Sequence, residues 1–162
     1  MRSFLIATFV VSCALSAIAE EKSDLAANIK DAKVSLERGI AASKAKGMPI
    51  SAKYEVENGK LQLSVYTAKG DAFSEVIVDH KTGKVAKSEP ITGRDDLTAA
   101  KSQNEAMSKA KTSLQDAVSK AVKANKGYKA VSATPSLKDG HPTADITLMK
   151  GAESKTVSRR LD

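Results

Sequence analysis

Few residues in this chain have the chemistry of an active site, and their spacing keeps them apart. Two histidines stand in turn-like segments: His80 follows Asp79 in Asp-His-Lys-Thr-Gly, and His141 follows Asp139-Gly140. A metal needs three or four His, Cys or carboxylate ligands converging on one point. Two histidines in separate turns do so only if those turns meet and a third ligand joins them. A small metal or ligand carrier built on His80, His141 and nearby carboxylates is therefore one reading; two solvated loop histidines are the plainer one. Asp79 has the type for a general acid, but an Asp opening a turn uses its carboxylate to accept backbone N–H bonds. Asp95-Asp96 stand at a helix start, where carboxylates cap the free N–H groups and oppose the dipole. Ser and Thr are plentiful, yet none lies in a G-x-S-x-G elbow, and no G-x-x-x-x-G-K-[ST] phosphate loop is present. The single Cys, Cys13, excludes a disulfide framework and a thiolate metal site. These residues point to no catalytic group and no bound cofactor, so the chain reads as a non-enzyme.

Composition narrows the remaining classes. The 162 residues carry 26 Lys plus Arg against 19 Asp plus Glu, a net charge of +7, with three Tyr, three Phe and no Trp. An apolar fraction of 41% suits a folded chain, whereas 4% aromatics leaves little to line a haem or flavin pocket. Arg2, the apolar run Phe4–Leu15 and the small residues Ser16–Ala19 read as a secretory signal peptide over 1–19, cut after Ala19. The apolar run is shorter than the roughly 20 residues of a spanning helix. The expected product starts at Glu20 and is periplasmic or secreted, with no transmembrane segment. Val10-Val11-Ser12-Cys13 faintly resembles a lipobox; cleavage there would leave the apolar tail ALSAIA, which disfavours a lipoprotein anchored at Cys13. Nucleic acid is a poor partner for an exported chain with few stacking aromatics. Lysines along both expected helices, among them Lys30, Lys33, Lys44, Lys109, Lys111 and Lys120, could draw the surface weakly to an anionic envelope polymer.

The elements that must position these residues come twice. Ser23-Asp24 opens a helix whose apolar stripe is Leu25, Ile29, Ala32, Leu36 and Ile40, and Gly47 and Pro49 stop it. The period then changes to two. Ile50, Ala52, Tyr54 and Val56 alternate, Asn58-Gly59 turns a hairpin, and Leu61, Leu63 and Val65 alternate after it. Phe73–Val78 reads as a third strand, and Lys84–Lys87 could pair briefly beyond the Asp79–Gly83 turn. Pro90 and Gly93 mark a linker over 89–95. A second helix over about 96–125 carries Ala100, Met107, Ala110, Leu114, Val118 and Val122 on its stripe. Strands follow on either side of the Asp139-Gly140 hairpin, and Val157–Leu161 closes the chain. A shift that carries Ala52 onto Ala133 aligns residues 50–81 with 131–162 without a gap. It superposes Gly59 on Gly140, Gly70 on Gly151, Ile50 on Val131 and Val65 on Ile146. These are the positions that set turns and core. AKVSLE at Ala32 recurs as AKTSLQ at Ala110. The expected fold is α+β: two tandem units, 23–88 and 96–162, each one helix on a three-stranded antiparallel sheet.

The first unit resembles a PepSY domain. The resemblance rests on its Ala-rich helix, on Ile50–Glu57 and Leu61–Tyr66, and on the ending Glu75-Val76-Ile77-Val78-Asp79 followed by Lys81-Thr82-Gly83-Lys84-Val85, which fits E-V-x-V-D-x-x-T-G-x-V. The second unit is divergent: Ser158-Arg159-Arg160-Leu161-Asp162 stands where D-x-x-T-G would be. The family occurs in propeptides of thermolysin-type metallopeptidases and in many exported bacterial proteins. The resemblance therefore implies a non-catalytic module that restrains or modulates a peptidase, and it brings no catalytic residues. Asp79, Thr82 and Gly83, with the hairpin pairs Asn58-Gly59 and Asp139-Gly140, are expected to shape turns. Partner contact is expected in the first unit through Tyr66, which is out of phase with Leu61, Leu63 and Val65 and so faces away from the core. Tyr54, in phase with Ile50 and Ala52, is expected inside. Pro135, which replaces Tyr54 in the second unit, is expected to mark an edge strand.

Overall fold

The computed structural model of the protein describes residues 13–162, with side chains from Glu20 onward. The expected signal peptide lies largely outside the described residues, and the Glu20 side of its cleavage point falls within the first helix. That helix, α1 (Cys13–Asn28), leads through a 3₁₀ turn at Ile29–Asp31 to α2 (Leu36–Ser43) and a second 3₁₀ turn at Lys44–Lys46. Four strands follow: β1 (Met48–Glu57), β2 (Lys60–Lys69), β3 (Ala72–Val78) and β4 (Val85–Pro90). Two helices, α3 (Arg94–Ser108) and α4 (Leu114–Ala124), precede β5 (Lys129–Lys138), β6 (His141–Lys150) and β7 (Glu153–Arg160). The chain is α+β, and every strand pairing is antiparallel. All seven strands form one sheet in the order β4-β3-β2-β1-β5-β6-β7.

Each helix expected to be continuous is broken in the middle. The breaks fall on Ala32-Lys33-Val34-Ser35 and Ala110-Lys111-Thr112-Ser113, the repeated sequence itself. A serine within a helical stripe competes for backbone groups. Here Ser35 Oγ accepts from the Arg38 N–H at 3.3 Å and Ser113 Oγ from the Asp116 N–H at 3.1 Å, each capping a new helix. The amides freed by the break are taken up too. Lys33 and Val34 N–H donate to the His80 carbonyl at 2.9 and 3.0 Å; Lys111 and Thr112 N–H donate to the Leu161 carbonyl at 2.7 and 2.8 Å. The shift that carries Ala52 onto Ala133 also carries His80 onto Leu161.

The breaks let each helix pair straddle the sheet. On one face Ala52, Tyr54, Leu63 and Val65 lie under α2, whose Gly39 comes so close to Leu63 that a Cβ there would sit 2.5 Å from Leu63 Cδ2. On the opposite face Ser51 Oγ donates to Gln103 Oε1 of α3 at 2.7 Å. On that same face α1 packs on β1 and β2, and its Lys22 and Leu25 line a cavity with Ser132, Thr147 and Met149, while Arg159 reaches the Lys120 carbonyl of α4 on the other face. The arrangement thus has three layers, not the single helical layer expected. The core on the α2–α4 side holds Leu36, Ile40, Leu114 and Val118 against Ile50, Leu63, Val65, Ile146 and Leu148, all at or below 1% exposure. Each such side chain contributes about 1.5–3 kcal/mol of gross burial free energy.

Two further expectations change. Glu89 and Pro90 belong to β4, and Arg94 and Asp95 open α3, so only residues 91–93 connect the two. Pro135 lies on an interior strand rather than an edge: β5 pairs β6 along its length, Pro135 opposite Ala144, and pairs β1 only through Ala52↔Ala133 and Lys53↔Ser132. Pro135 lies outside that two-pair ladder, so its missing N–H breaks no bond to β1.

Candidate partner-contact site

The hairpin β1–β2 fixes where the aromatic candidates point. Asn58 and Gly59 take φ of 50° and 74°, and Asp139 and Gly140 take 52° and 80°, the left-handed pair a two-residue type I′ turn requires. The resulting register puts Tyr66 opposite Ser51 on β1 and opposite Glu75 on β3. Strand alternation then places Ser51, Lys53, Glu55, Ser64 and Tyr66 on one face. Tyr54 is on the other face, 4% exposed, and its hydroxyl donates to the Val34 carbonyl inside the first helix break. Burial, with the Glu37 charge adding to it, pushes the Tyr54 phenol well above its ordinary range.

Tyr66 sits in a polar cluster. Its hydroxyl donates to Glu75 Oε1 at 3.3 Å, Lys53 Nζ stands 5.8 Å from its ring centroid, and Lys53 pairs with Glu55 at 2.5 Å. Ser64 Oγ donates to Glu55 Oε1 at 3.1 Å, and Gln62 Nε2 donates to Ser64 Oγ at 3.0 Å. Burial pushes the Tyr66 phenol up to about 12; Lys53 opposes this, and Glu75 and Glu55 add to it. Burial alone would lower the Lys53 ammonium, but the hydrogen bond to Glu55 and the charges of Tyr66 and Glu55 outweigh it and raise it. The face is less open than expected, because Asp96, Ala99 and Gln103 of α3 wall a cleft of about 190 Å³ over Lys53 and Tyr66. Ligand pockets run to about 300–1,000 Å³, so this cleft has room for a side chain rather than a cofactor.

The turn after β3 is built by Asp79. Its Oδ1 accepts the N–H groups of Lys81 and Thr82, both at 2.8 Å, and the Gly83 N–H donates to its carbonyl at 2.8 Å. Those donors, Thr82 first and Lys81 next, hold the Asp79 carboxyl below its usual range. Gly83 takes φ 77°, and a Cβ there would meet Arg38 Nε at 3.0 Å. The turn delivers the chain into β4, whose outer edge has no strand beside it among the described residues. Ile91 N–H donates to the Phe73 carbonyl on β3. By alternation Glu89 and Lys87 also donate inward, so Ser88 N–H points outward and Pro90 lacks an N–H on the same outer side. The Lys87–Glu89 ion pair, 2.8 Å, completes a charged edge. Strand β7 forms the other edge.

The histidines do not converge. His80 follows β3 and His141 opens β6, with β2, β1 and β5 between them, on the order of 19 Å of sheet. His141 Nδ1 lies 2.8 Å from Asp162 Oδ2 and 2.6 Å from an Arg160 guanidinium nitrogen. Arg160 foremost, with His141, holds the Asp162 carboxyl far below its usual range. Among the described residues no group of three His, Cys, Asp or Glu is placed to hold a metal, and no helix is long and apolar enough to cross a membrane. Asp95 and Asp96 occupy the first turn of α3. Sequence reading missed the Lys53–Tyr66–Glu75 cluster, although the Asn58-Gly59 turn and a strict count of alternation would have placed those side chains together. No protein-family model, no curated protein and no solved structure matches the chain.

Proposed function

We propose that the chain is an exported, non-catalytic binding module of PepSY type, built of two related units, that engages and restrains another exported protein, foremost a peptidase. The two-unit reading is supported by the recurrence of one capped helix break, docked by paired N–H groups on carbonyls that the same shift relates. The observation that carries the function is the outer edge of β4. The E-V-x-V-D-x-x-T-G-x-V stretch that resembles the family builds β3, the Asp79 turn and the start of β4, and it presents Val85–Glu89 with an unpaired side. An extended segment of a partner adds to such an edge through main-chain bonds. Pro90 and the Lys87–Glu89 pair discourage indiscriminate pairing, and Tyr66 with Glu75 lies two strands in from the same edge.

The test is to titrate the chain from Glu20 onward, its expected mature form, into a thermolysin-type metallopeptidase cleaving a chromogenic peptide. Dose-dependent loss of hydrolysis is expected, weakened at least tenfold by Ser88→Pro, which removes the outward N–H. Full hydrolysis at saturating chain would overturn the peptidase reading. Binding only to anionic polymer, falling steeply with salt, would replace it with an envelope-surface role.

A further inference from the structure

The two helix breaks have matching grooves beside them, and the grooves differ in what fills them. The groove beside Ala32–Ser35 is lined by Tyr54 and Tyr128 and has a volume of about 180 Å³. The Tyr54 ring reaches across it, and its hydroxyl donates to the Val34 carbonyl. The shift that carries Ala52 onto Ala133 exchanges both rings: Pro135 takes the place of Tyr54, and Gly47 takes the place of Tyr128. The groove beside Ala110–Ser113 is accordingly larger, about 460 Å³, within the range of small-molecule sites. Thr112 lines it where Val34 lines the other.

Its walls are apolar: Ile40, Met48, Pro49, Met107 and Leu114. Met48, 42% exposed, is the one large apolar side chain left exposed among the described residues. Two cations, Lys44 and Lys111, line the groove, and among the described residues no carboxylate does. The carboxylate of nearby Asp116 accepts from the Ser113 hydroxyl at 2.7 Å. Methionine sulfurs make favourable contacts with aromatic rings, and an anion among these lysines is attracted to both.

We propose that this second groove binds a small free aromatic monocarboxylate, its ring against Met48 and Met107 and its carboxylate toward Lys44 and Lys111. The first groove identifies the shape: there the chain supplies a phenol of its own. The inference is independent of the peptidase reading, since it concerns a different surface and a small ligand.

The test uses the full chain with ¹³C-labelled methionine methyls and 3-(4-hydroxyphenyl)propionate as probe. Saturable shifts of the Met48 and Met107 methyls are expected. The primary amide of the probe, which has the ring without the charge, should bind at least tenfold more weakly, and so should hexanoate, which has the charge without the ring. Lys44→Glu with Lys111→Glu should weaken the acid at least tenfold and leave the amide unchanged. Pro135→Tyr, which restores the plug, should abolish the shifts. Ala110→Trp fills the same space from the wall and decides the matter if Pro135→Tyr does not fold. Unshifted methyls at millimolar probe, equal affinity for acid and amide, or undiminished binding by the Ala110→Trp chain would each overturn the proposal. So would hexanoate binding as well as the aromatic acid, which would mark the groove as a site for aliphatic chains.

Discussion

Residues 29–81 and 107–162 share the order of a capped helix followed by three antiparallel strands, and they differ in packing. Leu63 in the first stretch packs on Gly39; the corresponding pair in the second is Ala144 and Ala117. The large residue has moved off the strand, and a methyl has moved onto the helix. Tyr54 and Val34 in the first correspond to Pro135 and Thr112 in the second. What stays the same is main chain: the two N–H groups after each break, the carbonyls of His80 and Leu161 that accept them, the serine cap and the left-handed hairpin pairs. Obligatory backbone bonds are expensive to lose when buried, whereas a core tolerates redistribution of volume between neighbours. The comparison therefore separates what the architecture requires from what each stretch has made of it.

The strongest way to break the comparison is to cut it. Since α3 reaches from β5 and β6 onto β1 and β2, α2 touches β5 and packs against α4, and α4 touches β1, residues 20–92 and 94–162 expressed apart should each lose the cooperative melt of the intact chain by circular dichroism. Two separate sharp melts would show that each stretch stands alone. Next in size is the exchanged pair. Leu63→Ala should cost about 2–5 kcal/mol and Gly39→Ala about 1–3 kcal/mol from overpacking. The double variant, which reproduces the small-small pair of the second stretch, should cost less than the sum of the two. Strict additivity in urea titrations would mean that the sites are not coupled. Tyr54→Phe, which strips the hydroxyl from the Val34 carbonyl, should cost about 1–3 kcal/mol, while Thr147→Val, at the position aligned with Tyr66, should change stability little.

The smaller effects lie at the turn that only the first stretch has. Gly83→Ala should cost about 1 kcal/mol, because an alanine there is held at positive φ. Asp79 titrates below its usual range when folded, so its contribution is present above the ordinary carboxylate pKa near 4 and is lost as pH falls through the folded value. Asp79→Ala should therefore lower the melting temperature at pH 7 and make its decline between about pH 5 and 2 shallower. An unchanged acid limb would remove Asp79 from the account; Asp145, held low by Lys138 and then Ser158, and Asp162 would remain to shape it.

Much of the strand layout was legible because it rests on local signals. Alternation and the Asn58-Gly59 and Asp139-Gly140 pairs fixed both hairpins and put Tyr54 inside. The helix breaks were not legible as breaks. Ala32, Leu36 and Ile40 satisfy a helical stripe whether or not the helix is continuous, and what decides otherwise is a distant carbonyl at His80, which periodicity does not reveal. Merging of the strands into one sheet depends on two residue pairs between β1 and β5, again without a local mark. The polar cluster around Tyr66 was half legible: its face followed from phase, but the α3 cover over it did not. The second groove was invisible in the sequence, since it exists only where Pro135 and Gly47 fail to supply the rings their counterparts supply.

The short joint between β1 and β5 also sets an order of events during folding. The hairpins β1–β2 and β5–β6 close loops of a few residues and form on the microsecond scale. Ala52↔Ala133 and Lys53↔Ser132 close a loop on the order of 80 residues for only two rungs of ladder, an entropic cost that rises with the logarithm of loop length. So few rungs do not repay it until the helices have packed across the seam, α3 onto β1 and β2 and α2 against α4. The seam that makes the sheet continuous is therefore a late product, formed after the pieces on either side, and refolding should be slower than its hairpins alone would allow.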